Sequence, residues 1–87
     1  MDMKKKQLAE AVAARLRAER ARANLTLRDA GAKSGVHYVS ISRYEQGDKL
    51  PTLEALFKLA EAYGVDAATL IPSSVSVADL PKQKGRK

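Results

Sequence analysis

Cysteine is absent from the chain, and histidine occurs once, at His37. The first absence excludes a disulfide framework and any thiolate metal site. The second means that no imidazole set can hold a metal. No apolar run approaches the roughly 18 residues needed to span a bilayer. Lys4, Lys5 and Lys6 bring positive charge near the start, but no apolar stretch follows, so the segment is not a secretory signal and a cytoplasmic protein is expected. There is no internal repeat, no glycine-rich phosphate loop and no converging set of His, Cys and carboxylates. Ser34, Ser40 and Ser42 share a single possible histidine base and have no placed acid. Neither an enzyme nor a cofactor is expected. Acidic residues are also scarce, 10 against 16 basic, which leaves a formal net charge of +6. That surplus favours a polyanionic partner, nucleic acid or an anionic membrane. A length of 87 residues fits one small domain with a modest core.

The most informative stretch runs from Thr26 to Gly47 and reads as two short helices joined by a tight turn. Thr26 is a good N-cap, and Asp29 stands at the third position after it, a capping box with Asp in place of Glu. The first helix is expected over Leu27 to about Lys33. Gly35 supplies the turn, because a residue without Cβ takes positive φ at little steric cost. The second helix is expected from about Tyr38 to Gln46, with Gly47 as the glycine just past its end. Val36, Ile41 and Tyr44 face inward, and the small Ala30 and Gly31 permit close approach of the two helices. Tyr38, Val39, Ser42, Arg43 and Gln46 are left facing outward. A short helix with this outer face is shaped to enter the major groove of B-form DNA.

The flanking segments support a bundle. Residues 1–6 are expected to fray. A first helix follows from about Lys6 to Ala23, with Leu8, Val12 and Leu16 at four-residue steps and Ala9 and Ala13 beside them. Arg15 and Arg22 read as a solvated charged face. Asn24 tolerates a left-handed conformation and is a sensible helix stop. A loop through Asp48, Lys49, Leu50 and Pro51 leads to Thr52, which caps a fourth helix over Leu53 to Tyr63, ended by Gly64. Leu53, Leu56, Leu59, Ala60 and Tyr63 line its core face. Asp66 is placed to cap a fifth short helix, Ala67 to Ile71, which Pro72 terminates. Val65 and Leu70 complete the core. Residues 73–87 lose this periodicity and end in a basic tail, residues 81–87 carrying four basic and no acidic side chains. This tail is expected to be flexible. Its alternative roles are an arm on DNA phosphates or, through Val75, Val77 and Leu80, a contact at a dimer interface.

The chain resembles the lambda-repressor-like (XRE-type) helix-turn-helix family, which includes phage repressors and Cro proteins. The residues that carry the resemblance are R-L-R-A-E-R at 15–20, N-L-T-L-R at 24–28 and S-G-V at 34–36. They continue with I-S-R-Y-E-Q-G at 41–47, Pro51 and L-E-A-L-F-K-L-A-E-A-Y-G-V at 53–65. The match covers roughly residues 8–71, with order and spacing in agreement throughout. It implies an all-α, five-helix domain over residues 7–72 that binds double-stranded DNA sequence-specifically. It further implies a homodimer on a two-fold operator and no membrane partner. With no room for a sensor or protease-like domain in the remaining residues, a small Cro-like or repressor protein is expected. The resemblance also implies that Arg20 pairs with Glu45 and ties the first helix to the third. Two positions depart from the pattern. Leu27 stands where relatives often carry a glutamine that contacts phosphate, and His37 stands where a capping serine is usual. A rival reading is a protein-interaction module, such as the antitoxin of a toxin–antitoxin pair, whose tail from Ser73 to Lys87 binds a protein partner.

The candidate base-reading residues are Tyr38, Val39, Ser42 and Arg43. Arg43 can donate two hydrogen bonds to guanine O6 and N7, or contact a phosphate instead. Val39 can pack on a thymine methyl, or belong to the core if the helix is rotated. Tyr38 can bond a phosphate or stack at the groove edge, and Ser42 can reach base or phosphate. The candidate phosphate contacts are Thr26, Arg28, Lys33, Ser40 and Lys49. Of these, Thr26 opens the N-terminus of the second helix, an anion site by geometry, with Arg28, Lys33 and Lys49 expected to flank it.

Overall fold

A computed structural model describes residues 2–72 of the chain, with side chains from Lys5 onward. Four α-helices follow in order: α1, Asp2–Arg22; α2, Leu27–Ser34; α3, Tyr38–Glu45; and α4, Leu53–Tyr63. A 3-10 turn over Ala67–Leu70 closes the described chain, and no strand occurs among the described residues. The tail over residues 73–87, with Val75, Val77 and Leu80, lies outside them. No helix among the described residues is long and apolar enough to cross a membrane.

The helices end where local chemistry stops them. Asn24 takes a left-handed φ of 62° after α1. Thr26 and Asp29 form the full capping box: Thr26 Oγ1 accepts from the Asp29 amide at 3.0 Å, and the Thr26 amide donates to the Asp29 carboxylate at 3.2 Å. Gly35, at φ 83°, makes the turn between α2 and α3. Thr52 Oγ1 accepts from the Ala55 amide at 3.1 Å to start α4.

Two expectations are corrected. The expected fifth α-helix is a single 3-10 turn, and Asp66 makes no side-chain capping bond there. Only a few residues separate Gly64 from Pro72, too few for the costly nucleus of an α-helix without a cap. At the other end, α1 begins at Asp2, before the expected start near Lys6. Lysine is a good helix former, so Lys4, Lys5 and Lys6 carry no propensity cost that would start the helix later.

Leu8, Val12 and Leu16 of α1 bury one stripe against Ile41 and Tyr44 of α3 and Leu56, Leu59 and Tyr63 of α4. Leu70 fills the remaining side from the 3-10 turn, and Val65 and Val36 pack against its edges. Helix α3 is therefore gripped between α1 and α2, with its other side left open. The grip needs Gly31. A Cβ there would lie 3.1 Å from the Val36 carbonyl oxygen and 3.2 Å from both the backbone nitrogen and the Cβ of Tyr38.

Gly31→Ala should therefore destabilise the fold, since overpacking costs about 1–3 kcal/mol and outweighs a helix-propensity gain of roughly 1 kcal/mol. Gly35→Ala meets no atom within 4 Å. Its cost should be only the left-handed penalty of about 1–2 kcal/mol, partly recovered in Gly35→Asn. Urea midpoints of the three variants check this; a Gly31→Ala protein as stable as the parent would contradict the close approach.

Candidate nucleic-acid interface

Helix α3 is held from behind by charge. Arg20, half-buried on the last turn of α1, reaches the C-terminal end of α3. Its Nε donates to Glu45 Oε2 at 2.7 Å and its Nη2 to Glu45 Oε1 at 2.9 Å. The third nitrogen donates to the Leu25 carbonyl at 2.8 Å, so one guanidinium joins α1, the α1–α2 loop and α3. The planar fork of arginine suits this two-point grip on a carboxylate. Hydrogen bonding to Glu45 holds the Arg20 guanidinium still more firmly protonated, against the opposing effect of burial. The Glu45 side chain is 7% exposed and that of Arg20 23%.

Tyr63 packs beside this pair. Its hydroxyl is buried and has no hydrogen-bond partner among the described residues. Burial, reinforced by the nearby Glu45 carboxylate and opposed by Arg20, pushes its pKa up to about 12.

Other α1 arginines do more than the sequence suggested. Arg17 donates to the Glu45 carbonyl, beside the Arg20 grip. Arg22 donates to the Tyr63 carbonyl at 2.9 Å and pairs with Glu19 at 2.6 Å. Arg15 donates to the Thr69 carbonyl at 3.2 Å. Arg15 and Arg22 are thus not merely a solvated face. They place cations on the C-terminal carbonyls of α4 and the 3-10 turn, where they complement the helix dipole. The only available signal was spacing: Arg17 and Arg20 stand three apart on one side of α1, Arg15 and Arg22 seven apart on another.

The opposite side of α3 is open. Val39 is 43% exposed, so it does not belong to the core. Arg43 lies one helical turn further on, exposed, and its side chain makes no hydrogen bond or ion pair among the described residues. Ser42 Oγ accepts from Gln46 Nε2 at 3.0 Å, which leaves its own proton free to donate. Ser40 is half-buried. His37 caps the helix, its Nδ1 accepting from the Val39 amide at 3.1 Å, the role expected of a serine there. Tyr38 leans back towards α2, where its hydroxyl accepts from Arg28 Nη2 at 3.0 Å.

The basic candidates do not all share one place. Thr26 and Arg28 lie at the N-terminus of α2. Lys33 sits on its last turn, at the opposite end from Thr26. Lys49 lies in the α3–α4 loop with its ammonium 5.9 Å from the centre of the Tyr44 ring. Of these basic residues, Arg28 is joined to α3 by a hydrogen bond, at Tyr38, and Lys49 lies against the buried Tyr44.

Residues 16–70 match the family model described as helix-turn-helix. The fold is similar to that of an HTH_3 family transcriptional regulator from Vibrio cholerae, with a TM-score of 0.73 and 21% identity over 76% of this chain. The chain spans only 37% of that regulator. The DNA-binding domain of BldD from S. venezulae is 35% identical, with a TM-score of 0.68, and the match covers 76% of this chain and 99% of that domain. A second structure of the BldD DNA-binding domain is also 35% identical, with a TM-score of 0.69, over 77% and 97% of the two chains. No curated protein matches.

Unequal burial of the ion pair makes an asymmetric expectation. Arg20→Ala leaves the deeper Glu45 carboxylate uncompensated and should cost roughly 3 kcal/mol, whereas Glu45→Ala leaves the more accessible Arg20 and should cost less. A double-mutant cycle by urea unfolding should show coupling, and strict additivity would dismiss the pair as a tie between α1 and α3.

Tyr63→Phe removes an unpaired buried hydroxyl and should stabilise the fold by about 1 kcal/mol. The sign of its pH dependence is also set. The unfolded phenol ionises near 10.0 and the folded one near 12, so the folded state binds more protons between them and stability falls as pH rises through that window. Stability curves measured from pH 9 upward should lose part of this fall in the phenylalanine variant. Burial also raises the Tyr44 pKa, so some of the fall should remain.

Proposed function

Because the chain belongs to the XRE-type helix-turn-helix family, we propose that it binds double-stranded DNA sequence-specifically through α3 and regulates transcription. One observation carries this reading: exposed Val39 and unpaired Arg43 stand one turn apart on a helix whose opposite face is locked into the core. Arg43 donates to guanine O6 and N7, Val39 packs on a thymine methyl, and Ser42 reaches a neighbouring base edge. Tyr38 stands at the groove edge. Thr26, Arg28, Lys33, Ser40 and Lys49 contact phosphates and so set the register of the helix in the groove.

One short reading helix per protomer covers only a few base pairs. Specific binding therefore calls for a homodimer on a two-fold operator, with half-sites about one helical turn apart. The protein acts in the cytoplasm as a Cro-like or repressor-type regulator, by occupying DNA rather than by catalysis. Selection of bound sequences from random duplexes tests the reading, because it returns the operator and its symmetry together. Recovery of no preferred sequence would reject it.

Four expectations follow from the division of roles. If the dimer neutralises roughly 6–10 phosphates, affinity should fall by about 10³–10⁵ between 50 and 200 mM salt, and a flat titration would oppose phosphate contact. Arg43→Ala should cost about 1–3 kcal/mol on the selected operator, relax preference at one base pair per half-site and spare non-specific binding. Lys49→Ala should weaken all duplexes alike and lower the salt slope by about one. Replacing thymine by uracil should reduce affinity at one position for the parent protein and at none for Val39→Ala. If Arg43→Ala weakens operator and random DNA equally, Arg43 contacts phosphate and not base.

A further inference from the structure

We propose that Arg28 and Tyr38 together form a single phosphate clamp that spans the turn between α2 and α3, with Tyr38 holding the arginine in place. This rests on the DNA-binding reading and assigns one of its contacts to a pair of residues rather than to either alone. Three features define the clamp. Arg28 Nη2 donates to Tyr38 Oη at 3.0 Å. The guanidinium carbon lies over the Tyr38 ring, 4.4 Å from its centroid. The same ring stacks with that of His37, with centroids 5.1 Å apart and planes 16° apart.

The backbone explains why the two residues meet. Arg28 and Gly31 are three apart, so they share a face of α2. The missing side chain of Gly31 leaves the space in which the backbone and Cβ of Tyr38 lie. The ring starts against Gly31 and reaches back one turn to Arg28. A surface arginine ordinarily loses much side-chain freedom when it binds a phosphate. Here hydrogen bond, ring face and stacking have already fixed it, which lowers that cost.

The donors that remain are those a phosphodiester needs. A guanidinium has five N–H groups, and only one points at Tyr38. The Tyr38 oxygen accepts that bond and keeps its own proton to donate, and an acceptor engaged by a cation becomes a stronger donor. Arg28 is exposed, so both groups can reach one anionic oxygen or two oxygens of one phosphate. A base edge fits less well, because the arginine is turned to the ring of Tyr38 on the α2 side and not along the outer face with Val39 and Arg43. A phosphate held there would fix the start of α2 and the start of α3 to the same point of the DNA backbone. Tyr38 is then a positioning residue and phosphate donor, and sequence reading belongs to the rest of α3.

Arg28→Ala, Tyr38→Phe and the double variant test this on the operator recovered by selection and on a scrambled duplex, with thermal unfolding confirming that each variant folds. Tyr38→Phe keeps the ring and removes only the hydroxyl. It should weaken both duplexes by the same factor, about three- to tenfold, and Arg28→Ala should weaken both by about tenfold or more. The double variant should be little worse than Arg28→Ala. A scan of duplexes carrying one neutral methylphosphonate each should find a position in each half-site that weakens the parent protein, has a smaller effect on Tyr38→Phe and is silent for Arg28→Ala. Additive losses, a Tyr38→Phe loss confined to the operator, or methylphosphonate effects that change at different positions for the two variants would each overturn the clamp while leaving DNA binding intact. A parent protein that binds neither duplex removes the DNA-binding reading, and the clamp with it.

Discussion

The bidentate pair between Arg20 and Glu45 is the contact on which the presentation of α3 depends. Helix α3 spans only Tyr38–Glu45 and would not persist alone in water. Its apolar anchors, Ile41 and Tyr44, fix which face turns inward but resist sliding along the helix axis only weakly. A charge pair with two near-linear hydrogen bonds is far more sensitive to position than an apolar contact. Arg20 therefore sets the depth and tilt of α3, and Arg17 adds a second tie at the Glu45 carbonyl. A burial this deep for Glu45 is tolerable only because its carboxylate oxygens are met by two donors of one cation. The unpaired hydroxyl of Tyr63 beside it marks where this small core sacrifices some stability.

Much of this arrangement was legible in the residue order, for reasons that can be named. Features with a local cause read correctly: the capping box at Thr26 and Asp29, the left-handed Asn24 and Gly35, and the full extent of α4 between Thr52 and Gly64. The stripe of Leu8, Val12 and Leu16 at four-residue steps is likewise a property of one helix. The Arg20–Glu45 pair joins distant segments and became legible only through resemblance to a family. Asp66 has the right type for a cap, yet the segment before Pro72 is too short for α-helical propagation and closes as a 3-10 turn. Val39 was ambiguous in sequence because an apolar residue in a short helix fits either face. The grip of α1 and α2 on α3 settles it by leaving that side open.

The side-chain contacts of arginine were the least legible part. Arg15, Arg17 and Arg22 look alike in sequence to Arg43, since all are basic residues on helices. They differ in what lies opposite each one in the folded chain. Carbonyls ending α3, α4 and the 3-10 turn lie within reach of α1, so its arginines act as caps between elements. Among the described residues, no partner faces the Arg43 side chain. The pairing of Arg28 with Tyr38 has the same character, as it depends on the depth to which α3 sinks at Gly31.

This division changes how the net charge should be understood. A formal charge of +6 suggests a molecule that is generally attractive to DNA. Much of the arginine content is nevertheless occupied internally. Arg20 is neutralised by Glu45 and Arg22 by Glu19, and Arg15 and Arg17 are directed at carbonyls away from the outer face of α3. Near the open side of α3, the cations without a carboxylate partner among the described residues are Arg28 and Arg43. Under the proposed DNA-binding role, affinity depends on where the charges are placed more than on their total, and the salt dependence of binding counts the placed ones. The arginines of α1 hold α3 in position, so the basic character of the chain serves the geometry of the proposed reading helix as much as its electrostatics.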